Sequence, residues 1–372
     1  MKKRSLLLGL LLAGTVALSA CGKDNEQPVT NTESNKTTEV VTEVETEEVA
    51  KFEIVTDEDA PEGKVVSELT GEFIDEAIEN QRPVAIMVDN EKTALDHYGL
   101  TKADIIYEMV NSTKNDRITR FMVMVKDWEA IERLGSIRSA RVTNCILAME
   151  WNAVLVHDGG PFYINAYTAL PYLDNFSGGF SRITNGKPRE FTEYVSKGEL
   201  MKRFKANNVE VEYNNYYEGE HFTFANNVEL DSSAKDAVKV ELPFPHNSSK
   251  LDYNEEDQLY YYSEYGMKHV DPGNGNAQLA FKNGIIYEAD MNLCRNGDYI
   301  DENGYMYYDI IEKRGEGYYL INGKAEPITW RKVSATAPTE FFDEDGNEIT
   351  LNVGKTYIAI VPSDAWSDVV IK

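Results

Sequence analysis

The sequence predicts an α/β (α+β) amino-terminal domain with a mixed sheet and covering helices, followed by a second, mainly antiparallel β domain. Apolar strand-like runs at residues 84–88, 103–108 and 118–125 alternate with helical segments, an order typical of α/β layers. After Asn207, helical periodicity gives way to short β-rich runs separated by Gly, Asn and Asp. About 300 residues follow the amino-terminal segments, and that length also favours two domains.

The first 20 residues have the three parts of an export signal. Basic residues 2–4 precede an apolar run at residues 6–16, and residues 18–21 read Leu-Ser-Ala-Cys. That tetrapeptide is a lipobox, in which Cys21 becomes the lipidated first residue of the mature protein. A transmembrane helix is the alternative, but it needs about 20 apolar residues. We therefore expect a protein held by a lipid anchor alone on the outer face of the cytoplasmic membrane.

The charge excludes one class of partner. The chain carries 63 acidic and 37 basic residues, a formal charge of −26. Loss of the three basic residues of the signal lowers that charge to −29. A surface this acidic repels nucleic acid, which is not expected as a partner.

Residues 22–62 contain 13 acidic residues and three lysines. This composition predicts a disordered acidic tether, placed at residues 21–66.

The first folded domain is placed at residues 67–206. Residues 84–88 predict a short buried strand behind Pro83, residues 91–98 a short helix stopped by Gly99, and residues 103–108 a second strand. The run at 118–125 is apolar on both faces, as expected of a central strand.

The later elements of this domain complete the layer. Residues 138–149 have apolar side chains at three- and four-residue steps, which predicts an amphipathic helix with Arg138 and Arg141 on one face. Residues 153–156 return to the sheet and end in a His-Asp-Gly-Gly-Pro turn, and residues 199–206 form the last helix.

The second domain is placed at residues 235–372, after a connector at 207–234. Its predicted strands are residues 238–242, 258–262, 279–281, 285–288, 305–311, 317–321, 328–332 and 357–361. Three hairpin turns are predicted at Asn283-Gly284, Asn322-Gly323 and Asp345-Gly346-Asn347.

The chain resembles the YerB-like lipoproteins. The resemblance is carried by the motifs Ala-Asp-Ile-Ile-Tyr-Glu at 103–108, Arg-Ile-Thr-Arg-Phe at 117–121, Gly-Ser-Ile-Arg-Ser-Ala-Arg at 135–141 and His-Asp-Gly-Gly at 157–160, and by residues 323–332 and 342–349. It implies a two-domain, exported bacterial protein, mostly of Gram-positive lineages, and implies no particular activity. Family members often carry Pro-His-Asn where this chain reads Pro-Arg-Glu at 188–190, so no role is transferred to that position.

Four arginines and two serines form the candidate anion-binding set. A helix start presents free amide groups, a serine can cap it, and guanidinium groups hold phosphate or carboxylate oxygens. The alternative is internal ion pairing of these arginines with Glu108, Asp116, Asp127 or Glu150. The candidate residues are Arg117, Arg120, Ser136, Arg138, Ser139 and Arg141.

A weaker catalytic hypothesis involves His157 and Asp158, which follow a strand. His157 could act as a general base, or it could simply hydrogen-bond within the turn. The sequence contains none of the common hydrolase motifs at Ser136 or Ser139.

Other features predict no cofactor. The sequence has no Cys/His spacing typical of a metal site, and Asp343 to Glu348 lack the calcium-loop positions and indicate a hairpin turn. Cys145 is expected to be a buried free thiol, although an exported protein could pair it with Cys294. The aromatic residues of segment 162–189 either pack on the sheet or line a saccharide or peptide groove.

Three hypotheses for function follow from the sequence. The first is a non-enzymatic binding or scaffold lipoprotein whose partner is an anionic cell-wall polymer or an envelope protein. The second is an envelope hydrolase acting on a phosphodiester, ester or glycan bond, with His157 as base. The third is a structural partner of an envelope enzyme complex, with internally paired arginines.

Overall fold

Strands from both predicted domains meet in one mixed sheet. The computed structural model describes residues 52–231, 233–296 and 299–372. Within these residues eleven strands join one sheet, numbered here in chain order: β1 Val84–Asp89, β2 Ile105–Val110, β3 Thr119–Val125, β4 Val154–His157, β5 Asn175–Ser177, β6 Lys235–Asp236, β7 Asn283–Ala289, β8 Lys313–Ile321, β9 Lys324–Lys332, β10 Glu340–Phe342 and β11 Thr356–Pro362. Their spatial order is β6-β9-β8-β7-β11-β2-β3-β1-β4-β5, and β10 pairs with β9.

The centre of this sheet joins distant parts of the sequence. Strand β11 lies parallel to β2, with Thr356 opposite Ile105, and β7 lies parallel to β11 on its other side. Strand β3 is antiparallel to both β1 and β2, whereas β4 is parallel to β1. Every residue of β1, β2, β3 and β11 is buried. Continuous apolar strands of this kind are covered on both faces, as predicted for residues 118–125.

Smaller sheets surround the large one. Two three-stranded sheets consist of Glu53–Ile54, Thr223–Asn226 and Thr350–Asn352, and of Arg133–Gly135, Ser181–Arg182 and Glu193–Ser196. A six-stranded sheet contains Lys239–Glu241, Lys250–Asn254, Leu259–Glu264, Met267–Lys268, Ala280–Phe281 and Val370–Ile371. The remaining strands form four pairs: Lys64–Val66 with Phe73–Asp75, Val270–Asp271 with Ala277–Gln278, Met291–Leu293 with Met306–Tyr308, and Arg295–Asn296 with Tyr299–Ile300. The second part of the chain is therefore rich in strands, as predicted. Its pairing is mixed, because β7 and β11 are parallel.

Two of the predicted hairpin turns differ in outcome. Asn322-Gly323 does connect the antiparallel strands β8 and β9. Asn283-Gly284 instead begins β7, so that turn prediction is wrong. Gly284 is needed for close packing, because a Cβ at this position would lie 2.9 Å from a methyl carbon of Leu320.

Three α-helices occur in the described residues: α1 Val142–Glu150, α2 Asn165–Thr168 and α3 Glu199–Asn207. The predicted last helix of the first domain, at 199–206, is confirmed as α3. The helix predicted at 91–98 is wrong, since only the single 3-10 turn Lys92–Ala94 forms there. The backbone of Tyr98 exchanges hydrogen bonds with Gly135, which holds this segment extended. A helix of so few residues has little stability of its own.

Helix α1 begins later than the sequence indicates. It was predicted from Arg138, but Arg138 N donates to Met87 O and Ala140 N donates to Gly159 O, so the preceding segment is extended. Arg141 is the N-cap residue. All nine residues of α1 are buried, so the helix is not amphipathic and the two arginines do not share a helical face.

The end of the predicted tether is folded. Ile54 pairs with Ala225, and Val65 pairs with Ile74, so residues 52–66 do not belong to a disordered segment. Ile54 and Val65 are β-branched, and their pairing with other strands outweighs the repulsion between the acidic residues of this segment. The remaining tether, the signal and Cys21 lie outside the described residues. In the described part of the chain, no helix is long and apolar enough to span a bilayer.

Asp104, just before β2, gives a testable pH dependence. Its Oδ2 accepts a 2.6 Å hydrogen bond from Lys126 N, and burial raises its pKa from 3.8 to about 7. Between about pH 4 and pH 7 the folded protein therefore binds this proton more tightly than the unfolded chain does. The free energy of unfolding consequently falls as the pH rises through that range.

The substitution Asp104→Asn is expected to remove that contribution. Because Asp104 is only half-buried, we expect the difference in unfolding free energy between pH 5 and pH 8 to shrink by about 1–2 kcal/mol. Urea unfolding of both proteins at the two pH values measures it. Equal differences in wild type and variant would contradict the assignment.

Candidate functional site

The candidate residues gather at one edge of the large sheet. Strands β1 and β4 are parallel and end there at Asp89 and His157. Strand β3 runs the opposite way, so it begins there, with Arg120 opposite Asp89. The edge therefore brings together side chains from three strands.

The segment Gly135–Arg141 crosses this edge and is held by its backbone. Ser136 O accepts from Asp89 N at 3.1 Å, and Arg138 N donates to Met87 O at 2.9 Å. Arg138 O in turn accepts from Asp158 N at 3.1 Å. These bonds fix the positions from which Arg138 and Arg141 extend their side chains.

Three arginines, Arg120, Arg138 and Arg141, form what we call the arginine cluster. Arg138 forms ion pairs with two carboxylates: its Nε lies 2.5 Å from Oδ2 of Asp89, at angles outside hydrogen-bond geometry, and its Nη1 lies 3.1 Å from Oε2 of Glu190. Arg138 therefore follows the ion-pair alternative, with partners other than those expected.

The other two arginines of the cluster differ from Arg138. Arg120 Nη1 donates to Ser139 O at 2.6 Å, and Arg141 Nη1 donates to Ala140 O at 2.8 Å. Arg141 also stacks on the ring of Tyr305, 4.3 Å from its centroid. Among the described residues, neither arginine has a carboxylate within 4.0 Å.

Burial makes these two guanidinium groups costly. Arg120 is 7% exposed and Arg141 5% exposed. Burial lowers the pKa of Arg120 to about 10, and Arg138 nearby lowers it further while Asp89 opposes the change. The pKa of Arg141 is lowered well below its ordinary value, first by burial and then by Arg120. The cluster is thus a region of excess positive charge inside a strongly acidic protein.

Several hydrogen-bond donors of this region have no acceptor. In the described part of the chain, Nε of Arg120, Nε of Arg141 and Oγ of Ser136 are buried without a partner. Buried donors are normally satisfied, and each one left open costs about 1–3 kcal/mol. Arg141 occupies the N-cap position of α1 without a capping side-chain hydrogen bond, and the first amide groups of a helix have no partner within the helix.

Arg117 was predicted to belong to this site, and the structure places it elsewhere. It forms a two-bond ion pair with Asp364, at 2.7 and 2.5 Å, which raises the pKa of Arg117. Both residues line a cavity of about 580 Å³, together with the segment Glu241–Pro245. Arg117 thus has a carboxylate partner and lies outside the arginine cluster.

His157 is not arranged as a general base. The residue is buried, its Nδ1 lies 2.7 Å from Gly159 O, and its Nε2 lies 3.1 Å from Oδ1 of Asn175. One ring nitrogen therefore contacts the turn at Gly159, and the other contacts the neighbouring strand β5 at Asn175. This contact pattern corresponds to the structural alternative stated for His157.

Asp158 belongs to an ion cluster beside the arginines. Its Oδ2 lies 3.2 Å from Nη2 of Arg182, which also contacts the buried Glu193. Burial raises the pKa of Glu193, and its hydrogen bond with Asp158 raises it further. Ser139 Oγ donates to Asp158 O at 2.8 Å and so links this cluster to the segment Gly135–Arg141.

Within the described part of the chain the predicted partner Glu108 pairs with no arginine, and it is the centre of a second polar network. Its Oε1 accepts from Asn90, Thr119, Asn247 and Ser249 at 2.7–3.1 Å, and its Oε2 accepts from the hydroxyl groups of Tyr262 at 2.9 Å and Tyr357 at 2.5 Å. Burial raises the pKa of Glu108, and the neighbouring Glu264 raises it further. A fully buried carboxylate here ties β2 to the second part of the chain.

The remaining predictions have mixed outcomes. Cys145 is free and buried, as expected, and Cys294 is also free and buried. Among the described residues no group of His, Cys, Asp and Glu is arranged to hold a metal ion. Asp343 Oδ1 accepts from Asn347 N, so this segment is the predicted turn. In segment 162–189, Phe176 and Phe180 pack in the interior, whereas Phe162 is exposed.

Three partners of the arginine cluster were not expected from the sequence. Asp89 ends a buried strand, and an acidic residue at such a position is a signal that could have identified it. Tyr305 is more than 160 residues from Arg141, and no local pattern connects them. Glu190 lies in a long irregular segment, where position alone indicates no partner.

Two family profiles match the chain. "Protein of unknown function (DUF3048) N-terminal domain" matches residues 69–210, and "Protein of unknown function (DUF3048) C-terminal domain" matches residues 240–358. The Bacillus subtilis (strain 168) protein named "Putative lipoprotein YerB" is 26% identical over 312 residues, which cover 80% of this chain and 87% of that protein. The crystal structure of YerB from Bacillus subtilis matches with a TM-score of 0.69 at 23% identity, over 83% of this chain and 100% of that one. This structural similarity shows a shared fold.

Proposed function

Since the chain belongs to the YerB-like family of two-domain DUF3048 proteins, we propose that it is a membrane-anchored envelope lipoprotein that binds an anion at the arginine cluster without catalysing a reaction. The lipid anchor is supported by the lipobox that ends at Cys21, and by the word lipoprotein in the name of the Bacillus subtilis relative. An anchored protein of this kind acts on the outer face of the cytoplasmic membrane. Its partner is an anionic wall component or an acidic group of an envelope protein.

One observation carries the binding proposal. Arg120 and Arg141 are buried guanidinium groups with open Nε donors and no carboxylate partner in the described residues. Isolated buried charges are strongly unfavourable unless something pairs with them. Because the protein supplies carboxylates to Arg138 and Arg117 but not to these two, an external anion accounts for their arrangement.

The contacts of His157 favour binding over hydrolysis. A general base needs a ring nitrogen that can reach the proton it removes, and both nitrogens of His157 contact the protein itself, at Gly159 O and at Oδ1 of Asn175. Ser136, a candidate nucleophile, has no hydrogen-bond partner at its hydroxyl among the described residues and therefore no adjacent base. The proposal therefore assigns the open donors to recognition.

Substitution of the two open arginines tests this function. Arg120→Gln and Arg141→Gln each remove a charged donor, and a hydrogen bond to a charged group is worth about 1.5–3 kcal/mol. We expect each variant to weaken anion binding by roughly 10- to 100-fold. Calorimetric titration of residues 22–372, which contain the compact unit Ala50–Lys372, measures this with phosphate, sulfate, acetate and a glycerol phosphodiester.

Arg117→Gln is the matched control. It removes an arginine that is paired with Asp364 and lies outside the arginine cluster, so anion affinity should remain that of the wild type. Thermal unfolding of each variant shows whether the fold is retained. A wild-type protein that binds none of the four anions, or variants that bind as well as it does, would end the proposal.

A further inference from the structure

A row of three buried ionisable side chains, here called the histidine row, joins the two parts of the chain that the family profiles match. Glu264 Oε1 lies 2.8 Å from Nδ1 of His269, and Nε2 of His269 lies 3.3 Å from Nδ1 of His97. His97 lies in the part matched by the N-terminal profile, whereas Glu264 and His269 lie in the part matched by the C-terminal profile. None of the three is more than 2% exposed.

A carboxylate beside the row holds the same two segments together. Asp271 Oδ1 accepts from Gly99 N at 3.0 Å, and Asp271 Oδ2 accepts from Thr101 N at 3.1 Å. The hydroxyl group of Thr101 also donates to Asp271 Oδ2, at 2.6 Å. Residues 97–101 therefore contact residues 264–271 through the histidine row and through Asp271.

His97 has no place for a second ring proton. Its Nε2 is buried without a partner among the described residues. If His269 carries a proton on Nδ1 alone, Nδ1 of His97 donates to it, and a further proton on His97 would lie on Nε2, where no acceptor exists. If His269 carries both ring protons, Nδ1 of His97 accepts, and a further proton there would face the N–H group of His269. Either arrangement favours a neutral His97.

The charges around His97 do not offset this cost. Burial lowers the pKa of His97 well below 6.5, and His269 and Lys187 lower it further. Lys187 Nζ donates to Ala94 O at 2.7 Å and to Leu95 O at 2.6 Å, so a positive charge lies close by. Among the described residues, His97 has no carboxylate within 4.0 Å. The titratable groups near the row are Asp96, Glu108, Lys187, Tyr262, Glu264 and Asp271.

We infer from these contacts that the histidine row is an acid-sensitive connection: protonation of His97 releases residues 97–101 from residues 264–271. Histidine is the side chain whose ordinary pKa suits such a response. Tyr98 exchanges backbone hydrogen bonds with Gly135, so the release reaches the start of the segment Gly135–Arg141. This release is independent of whether the arginine cluster binds an anion.

Hydrogen exchange of single amides in residues 22–372 tests the release. Because the ordinary histidine pKa is about 6.5, a proton bound only by the open form raises the opening constant by about 30-fold between pH 7.5 and pH 5.0. After correction for intrinsic exchange rates, the protection of the Gly99 and Thr101 amides should fall by that factor. Amides of β3 should stay better protected at both pH values, since local opening costs less than global unfolding.

Two variants identify the histidine responsible. His97→Asn keeps a nitrogen near the position of Nδ1 and cannot take up a proton, so protection at Gly99 and Thr101 should change by less than about threefold between the two pH values. His246 contacts Asn115 O at 2.6 Å and lies outside the row, so His246→Asn should behave as the wild type. Both variants keep Asp271, and a full pH response in His97→Asn would overturn the assignment to His97.

The wild type alone gives two further decisive results. Equal protection of Gly99, Thr101 and the β3 amides would show that only global unfolding occurs and would overturn the local release. If His97→Asn fails to fold, the ring nitrogens of His97 are followed by NMR in the wild type. The ring should stay neutral in the folded protein down to pH 5.0, and a His97 ring that titrates near its ordinary pKa without loss of the fold would contradict the inference.

Discussion

Replacing Lys332 with methionine is expected to lower the free energy of unfolding by about 3–5 kcal/mol. Lys332 in β9 is fully buried, and its Nζ lies 2.5 Å from Oε2 of Glu150 and 2.5 Å from Ala337 O. Glu150, at the end of α1, also accepts from Thr339 at 2.8 Å and from Tyr107 at 3.3 Å. Removing the lysine leaves the Glu150 carboxylate buried without a positive charge. Urea unfolding of residues 22–372 measures the loss.

Two further variants identify the cause of that loss. Lys324 lies on the same strand and pairs at 2.6 Å with Asp236, but both side chains are exposed. Lys324→Met should therefore cost less than about 1 kcal/mol. Adding Glu150→Gln to Lys332→Met removes the uncompensated charge and should restore more than half of the stability. A Lys332→Met protein within 1 kcal/mol of the wild type would contradict the proposed role of this ion pair.

Much of the fold could be predicted because the strands carry strong local patterns. The runs at 84–88, 118–125 and 328–332 are apolar or alternating, and each lies in a strand of the large sheet. Their pairing could not be predicted. The neighbours β2 and β11 are about 250 residues apart, and the register between such strands is set by packing in the folded core.

The candidate site could be predicted only in part, for a similar reason. Arg120, Arg138 and Arg141 do meet, because the ends of β1, β3 and β4 share one edge. Arg117 precedes β3 by two residues and points elsewhere, since Asn115, Asp116 and Arg117 all have positive φ and redirect the chain. Such a turn of the backbone has no clear signal in side-chain types. The cost of three such residues is offset by the Asp364 ion pair and by the surrounding packing.

Glu108→Ala is expected to destabilise the protein by more than about 4 kcal/mol. Six side chains donate to this carboxylate, and its removal would leave buried amide and hydroxyl groups without an acceptor. Glu108→Gln should cost less, because one carbonyl oxygen remains and the hydroxyl groups of Tyr262 and Tyr357 can rotate. The exposed Glu129 provides the control, and Glu129→Ala should change stability by less than about 0.5 kcal/mol.

The pH dependence of the same variants separates charge from hydrogen bonding. Burial and Glu264 raise the pKa of Glu108, so the folded protein binds this proton more tightly than the unfolded chain. Its contribution to stability is complete below the ordinary glutamate pKa and decreases as the pH rises towards the raised value. Glu108→Gln is always neutral, so its stability relative to the wild type should improve as the pH increases from 4 to 8. Urea unfolding could instead show that the free energy of unfolding of Glu108→Gln falls relative to that of the wild type over this range. In that case the six donors stabilise the carboxylate more strongly than burial destabilises it.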